Sequence, residues 1–385
     1  MHDYIDAEGS ARNMSRNHIG ERIRLLREGA GLQQARMAEI LGLSDRQSVS
    51  QIERGNRRVS AEELVRIIDH FGVTLDSLTN PFLLTAKDSL SWRQHDAPTA
   101  ELTALEALTG EWIGAFRELG RLNETPLKQL MPRLSLTHSS SLDEAVSSGE
   151  TVSAELELGD QPAHKLAQAL ESRLGILVLM IDALQGISGA ACRLQDMNAI
   201  LINRKERPAR RNTDLAHEFF HILTWTEMRP ARVESSVPSW EQPHTHTDLR
   251  NQKIERLADN FAAGLLMPTA ALDQLGKPHG DLTAWLVAGA DLLGVSSLTL
   301  KWRLVNSKRA PEMSRVSSED VRAARRFEGN PELPPLFSKP FIETIGRAID
   351  CGHLSVGRAA KLLQVPKDEL GKLFDGQAVE KPAEL

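Results

Sequence analysis

Cysteine is almost missing from this chain: Cys192 and Cys351 are the only two in 385 residues. That excludes a disulfide framework and suits a reducing compartment. Tyrosine is scarcer still, with Tyr4 alone, so no site in the body of the chain can draw on a phenol. Long apolar runs are lacking too. A run such as Gly175–Ile181 falls far short of the ~20 residues that span a bilayer. The first residues, MHDYIDAEGS, have neither a basic n-region nor an apolar h-region, so no signal peptide is expected there. Strong charge of one sign is absent as well: 46 basic residues face 52 acidic ones, a formal net charge of −6. The whole chain therefore has no electrostatic pull toward nucleic acid or a membrane surface, and any DNA contact must come from a local patch. These absences imply a cytoplasmic protein without membrane contact, long enough for roughly two or three domains.

Residues before about Ser15 read as a disordered leader. From Ile19, apolar residues recur at helical spacing: Ile19, Ile23 and Leu26, then Met37, Ile40 and Leu41, then Val49 and Ile52, then Leu64, Ile67, Ile68 and Phe71. Gly31, Gly42, Gly55 and Gly72 punctuate these runs where helix C-termini are expected. The segment from Gln33 to Leu78 resembles the lambda-repressor/XRE helix-turn-helix family through Ala38, Gly42, Ser50, Ile52, Glu53, Gly55 and the closing FGVTLDSL. Its helix near Gln47–Arg54 would enter a major groove and offer Gln47, Ser48, Gln51 and Arg54 to base edges. Arg57 and Arg58 suit phosphate contacts. From Arg12 to Asp69 eleven arginines oppose eight carboxylates, a local charge of +3. A solvated arginine face on a bundle that binds protein is the plainer reading of the same charges.

Asn80-Pro81 closes this unit. Helical spacing returns over Leu102–Leu122, where Leu102, Leu105, Leu108, Trp112, Phe116 and Leu119 form one stripe suited to packing or to a dimer surface. Leu134–Gly149, LSLTHSSSLDEAVSSG, is serine-rich and reads as a loop or linker. A helix over Gln161–Arg173 comes next, then a strand over Ile176–Ile181 and a turn at Gly186–Gly189. Two strand-like runs follow, Ala190–Leu194 and Ala199–Asn203.

Asp214–His221 reads DLAHEFFH. On a helix from Asp214 to about Thr226, His217 and His221 leave the same face one turn apart. Glu218 sits beside the first, where a carboxylate can take a proton from a metal-bound water. Zinc takes borderline-soft ligands in a tetrahedron with one open position, and two histidines plus a later carboxylate supply them. Such matches arise by chance in the order of a few in a hundred chains of this length, so two ordinary helix histidines are the plain alternative. Against it stand the dense apolar flank of Leu215, Ala216, Phe219, Ile222 and Leu223, and a second amphipathic helix over Ile254–Leu266. That helix starts with Glu255 and carries Asp259 one turn on, the places of a third ligand and of a carboxylate that steadies a ligand.

The run ILINRKERPARRNTDLAHEFFHILTW, followed by IERLADNFAAGLLMP, resembles the ImmA/IrrE family of zinc metallopeptidases. The similarity extends from about Leu156 through Gly294–Leu304. In that family a strand ends near an Asn, an Arg-rich turn leads into the HExxH helix, and ExxAxxFAxxLLMP closes the site. Both motifs stand here in order, with Asp214 where Thr is commoner. The resemblance implies zinc held by His217, His221 and Glu255, with Glu218 as the general base of peptide hydrolysis. A second electrophile for the developing oxyanion is sought among Arg303 and, in the loop PHTHTD, His244 and His246; these two histidines are alternatively zinc ligands in place of Glu255. Cys192 lies on the strand that the resemblance runs past the metal cleft. It is either an inhibitory thiol that occupies the open metal position or a small buried hydrophobe.

Glu312–Phe327 is a charged stretch, and Pro331, Pro334, Pro335 and Pro340 read as a stiff linker. FIETIGRAIDCGHLSVGRAAKLLQVPKDELGKLF shows three short helices separated by Gly352 and Pro366. It resembles a second small helix-turn-helix-like unit and reads as an interaction or regulatory module, with Gln377–Leu385 frayed. The expected architecture is α+β and mostly helical. A five-helix helix-turn-helix domain spans 15–80 and a helical connector and linker spans 81–155. A zincin-like metallopeptidase domain with a small twisted sheet spans 156–308, and a small helical module spans 335–377. The expected function is that of a cytoplasmic Zn2+-dependent endopeptidase that binds DNA, itself able to act as a homodimer. As the family implies, it would cleave a partner transcriptional repressor and so release stress-response, mobile-element or phage-defence genes. A regulator whose metallopeptidase-like domain senses a ligand or metal is the alternative, and an antitoxin-like repressor without zinc is a third.

Overall fold

In a computed structural model, which describes residues 19–84, 90–94, 97–124, 131–235, 249–324 and 332–385, the chain begins with five short helices. They are α1 (residues 19–29), α2 (Gln34–Leu41), α3 (Arg46–Glu53), α4 (Ala61–Phe71) and α5 (Leu75–Thr79). Polar caps set the starts of α3, α4 and α5. Asp45 accepts the Ser48 amide at 2.8 Å, and Ser60 with Glu63 forms a capping box on α4. Each cap satisfies amide groups that a helix start leaves unpaired. Gly42 ends α2 at φ 70°, a left-handed conformation that costs little only for glycine. Ile23, Met37, Leu41, Val49, Ile52 and Ile67 fill a core of their own. Glu53 ties three helices by accepting Arg27 Nε at 2.6 Å and Gln34 Nε2 at 2.8 Å.

The rest is organised around a five-stranded mixed sheet in the order β2-β4-β3-β1-β5. Its strands are β1 (Leu90–Gln94), β2 (Leu177–Ile181), β3 (Ile187–Arg193), β4 (Asn198–Asn203) and β5 (Val233–Ser235). β3 runs antiparallel to β4 and to β1, while β2–β4 and β1–β5 are parallel. Alternation along the strands gives the sheet two apolar faces. On one, Val178, Ala191, Ile200 and Ile202 pack with α7 (Leu142–Glu155), α8 (Pro162–Leu174), α9 (Pro208–Thr224) and α10 (Leu249–Leu266). Around this core lie α11 (Thr269–Gln274), α12 (Leu282–Leu293), α13 (Ser297–Asn306) and α14 (Ser318–Ala324). On the other face, Trp92, Leu179 and Leu201 pack with α6 (Thr99–Leu122) and the C-terminal helices α15 (Lys339–Asp350), α16 (Val356–Leu363) and α17 (Leu370–Gly376). A sheet covered on both faces explains why LVLMI and NAILI read as unbroken apolar runs. Among the described residues no single helix is long and apolar enough to cross a membrane.

Several local expectations change. The serine-rich stretch expected to be a loop holds the first part of α7, because Ser141 is its cap, not a linker residue, and pairs with Glu144 in a capping box. α9 starts at Pro208 instead of Asp214, since proline suits a first helical turn, so the Arg-rich stretch belongs to the helix. β3 begins at Ile187; Gly189 is a strand residue facing the Leu201 carbonyl across the ladder, not part of a turn. Pro340 lies in the first turn of α15, not in a linker. The last residues are docked: Gln377 Nε2 donates to the Phe337 carbonyl at 2.5 Å and Ala383 N to Asp350 at 3.1 Å. The apolar stripe on α6 packs within the chain, with Trp112 Nε1 donating to the Leu362 carbonyl at 2.9 Å. No strand is expected from the sequence before Ile176, so β1 is an addition, as is β5.

Helices α7 and α10 cross with their backbones in contact. A Cβ on Gly264 would overlap the Val146 carbonyl oxygen, and one on Gly149 would overlap that of Phe261. Gly264→Ala must therefore push the pair apart, an overpacking that costs about 1–3 kcal/mol. In a thermal scan the melting point should fall by roughly 2–10 °C; an unshifted transition would mean the helices are not so tightly held.

Candidate metal centre

Helix α9 buries one whole flank. Leu215, Ala216, Phe219 and Ile222 go into the core, and His217, Glu218 and His221 are all 0% exposed. Helix α10 packs alongside and brings in Glu255 and Asp259, both buried. The imidazoles face each other with Nε2 to Nε2 at 3.0 Å. Glu255 closes the triangle, with Oε2 at 3.3 Å from His217 Nε2 and Oε1 at 3.6 Å from His221 Nε2. On its other side His217 puts Nδ1 at 3.0 Å from Asp259 Oδ1. An ionised carboxylate only accepts, so Nδ1 carries the proton and Nε2 keeps its lone pair.

Ligands on a tetrahedral zinc, with bonds of roughly 2.0–2.1 Å, stand about 3.3 Å apart. The three separations observed bracket that value, and the donor atoms of His217, His221 and Glu255 all lie within 4.8 Å of one another. With both Nε2 atoms deprotonated, the two imidazoles turn lone pairs toward one point, where a cation between them is what they suit. Among the described residues the buried carboxylates of Asp214, Glu218, Glu255 and Asp259 gather with the guanidinium groups of Arg93 and Arg210, an acidic setting that suits a cation. The residues present fit a metal ion.

Behind the centre lies a group that sequence reasoning misses. Arg93, on β1, is 1% exposed, with Nη2 at 3.5 Å from Asp259 and Nη1 at 3.6 Å from Asp214. Burial by itself would lower its pKa, but Asp214, Asp259 and the glutamates drive it upward instead. Burial pushes the Asp214 carboxyl up, against the pull of Arg210 at 2.9 Å and of Arg93. Asp214, the departure from the commoner Thr, thus takes part in the charge balance. The available signal for Arg93 is LSWRQ, where Leu90 and Trp92 alternate with Ser91 and Arg93 in strand fashion.

The comparisons agree with this division. Residues 23–78 match the family model for Helix-turn-helix, and residues 171–305 match a peptidase-family model described as IrrE N-terminal-like domain. This chain joins a helix-turn-helix domain to an IrrE-like peptidase-family domain. No curated protein matches the chain.

Other residues named from sequence fall in different places. In the IrrE-like domain Cys192 is fully buried on the sheet face turned toward α6, while its neighbour Ala191 faces the α9 side. Burial pushes its thiol up to about 12. The inhibitory-thiol expectation is therefore corrected: strand alternation aims Cys192 away from the metal centre. Arg303 is ion-paired with Glu150 and donates Nε to the Met267 carbonyl at 3.3 Å, which ties α13 to α7. It is thus a brace between helices, not the expected oxyanion donor. His244 and His246 lie outside the described residues. In the helix-turn-helix domain Gln47 and Gln51 on α3 and Arg54 at its C-cap are exposed, while Val49 and Ile52 are buried, and Arg58 is exposed beyond them. Ser48 and Arg57 depart from expectation. The Ser48 hydroxyl is 3.2 Å from the Asp45 carboxylate, and Arg57 pairs with the capping Glu63 at 2.8 Å.

Adding a divalent metal such as zinc at a hundredfold excess over its Kd should stabilise the full chain by about 2.7 kcal/mol. His221→Ala should abolish that gain in a thermal-shift titration. Equal stabilisation of both proteins would place the ion elsewhere.

Proposed function

We propose that this chain is a zinc-dependent endopeptidase that uses its helix-turn-helix domain to reach DNA and cleaves a partner transcriptional repressor. The observation that carries the reading is the convergence of two imidazole Nε2 atoms and the Glu255 carboxylate within 3.0–3.6 Å of one another, with Glu218 on the turn between the histidines. Nitrogen and oxygen donors in this number suit zinc. Bound there, zinc would supply Lewis acidity, lowering the pKa of a water to about 7 and polarising the scissile carbonyl. The protein does the rest. His217 and His221 fix the site, Asp259 orients His217, and Glu218 takes the proton from the attacking water and returns it to the leaving amine. The dry setting strengthens each of these interactions.

On DNA, α3 would present Gln47, Gln51 and Arg54 to base edges, with Arg58 on the phosphates. Two copies on a palindromic operator, a homodimer, suit such a domain. A peptidase held at an operator meets its repressor at high local concentration. The genes released would be those of stress response, mobile elements or phage defence, and the setting is the cytoplasm. A regulator that only senses a metal or ligand is the second reading, favoured by the complete burial of His217, Glu218 and His221.

Glu218→Gln separates the two. Incubated with candidate repressors encoded nearby, the wild type should cut while the variant is slower by roughly 10²–10⁴-fold, with its zinc content unchanged. Equal cutting by both would remove the assigned base, and no cutting by either would leave the sensor. For DNA, Arg54→Ala should cost about 1–3 kcal/mol and relax base preference. Arg58→Ala should weaken all sequences alike and lower the salt slope by about one. Gel-shift titrations at several salt concentrations read both, and unaltered binding by either variant would move the DNA face off α3.

A further inference from the structure

We propose that Arg93 is a positioning residue of the candidate metal centre: it holds Asp259, and through it the His217 imidazole, in the orientation a metal ligand needs. The inference rests on the metal-site reading above and adds a residue from outside the segment that matches the IrrE N-terminal-like domain.

Placement comes first. β1 alternates, so Leu90 and Trp92 join the α6-side core while Arg93 is turned to Asp214 on α9 and Asp259 on α10. The strand is pinned on both edges. It pairs with β3 and β5, Trp92 N donates to the Arg232 carbonyl at 2.9 Å, and the Ser91 hydroxyl donates to the Ala231 carbonyl at 2.5 Å. Arg93 therefore enters the centre from a rigid support.

The decisive detail is one atom. Asp259 Oδ1 receives both Arg93 Nη2 at 3.5 Å and His217 Nδ1 at 3.0 Å. A guanidinium held on a rigid strand fixes that oxygen in place. The oxygen so fixed keeps His217 Nδ1 turned to it, and with it Nε2 turned to the site. Arg93 has a second anion within reach, Asp214 at 3.6 Å. The plainer role is thus a counter-ion that merely stabilises the fold, and the test must tell the roles apart.

Coulomb attraction alone provides the contrast. Removing a nearby cation should tighten the binding of a dication, whereas losing the orientation of a ligand should weaken it. Zinc affinity of the full chain, read by competition with a chromogenic chelator, is expected to fall about 10–100-fold in Arg93→Met. A fold-only role predicts a lower melting point with zinc affinity unchanged or tighter, and that result overturns the proposal. Arg93→Lys keeps the charge without the planar fork and serves if Arg93→Met does not fold; it should also bind zinc more weakly. In the Asp259→Asn background either Arg93 variant should cause no further loss, and additive losses would sink the relay. If the wild type binds no zinc, the metal reading itself falls; zinc binding by the wild type that Arg93→Met and Arg93→Lys leave unchanged sinks this inference alone.

Discussion

Among the described residues, four carboxylates, the Arg93 guanidinium and two imidazoles share one dry region between α9, α10 and β1, with the half-buried Arg210 at its rim. Burying charge is costly unless each group is matched in sign and hydrogen-bonded, so this region constrains everything packed around it. α10 must lie close enough to α9 for Glu255 to meet both histidines. The small residues Gly149 and Gly264, where α7 crosses α10, let that packing tighten. The sheet must carry a strand on its far side whose inward residue is a cation. The fold is in this sense the solution to an electrostatic problem.

The same strand links the parts of the chain. β1 begins at Leu90, beyond α5, which ends at Thr79, and its apolar side belongs to the core shared with α6 and the C-terminal helices. Its polar side faces the candidate metal centre. The module at the C-terminal end is not a loose appendage, since Trp112 and Asn123 of the connector hydrogen-bond the carbonyls of Leu362 and Thr344. The connector is thus part of the body that holds the centre.

Much of this was legible in the sequence because the relevant signals are local. Helical spacing, caps and glycine stops outline α2 to α5, and an HExxH spacing places two imidazoles on one helix face whatever the rest of the fold does. Glu255 and Asp259 were readable for the same reason, as they sit one turn apart on a helix that is itself amphipathic. Composition misled where it stood in for spacing. LSLTHSSSLDEAVSSG looks like a linker by its serines, yet Ser141 and Glu144 are a capping pair and the small residues mark a close helix crossing.

The sequence by itself determined the chemistry on offer: which donors exist, on which helix faces, and which domain types they accompany. Only the tertiary structure decided which groups meet. It turned Cys192 toward α6, gave Arg303 to Glu150, and brought Arg93 across more than a hundred residues of chain to Asp259. The physical reason is that spacing along a chain encodes direction within an element, whereas contacts between elements depend on how burial and charge are balanced over the whole molecule.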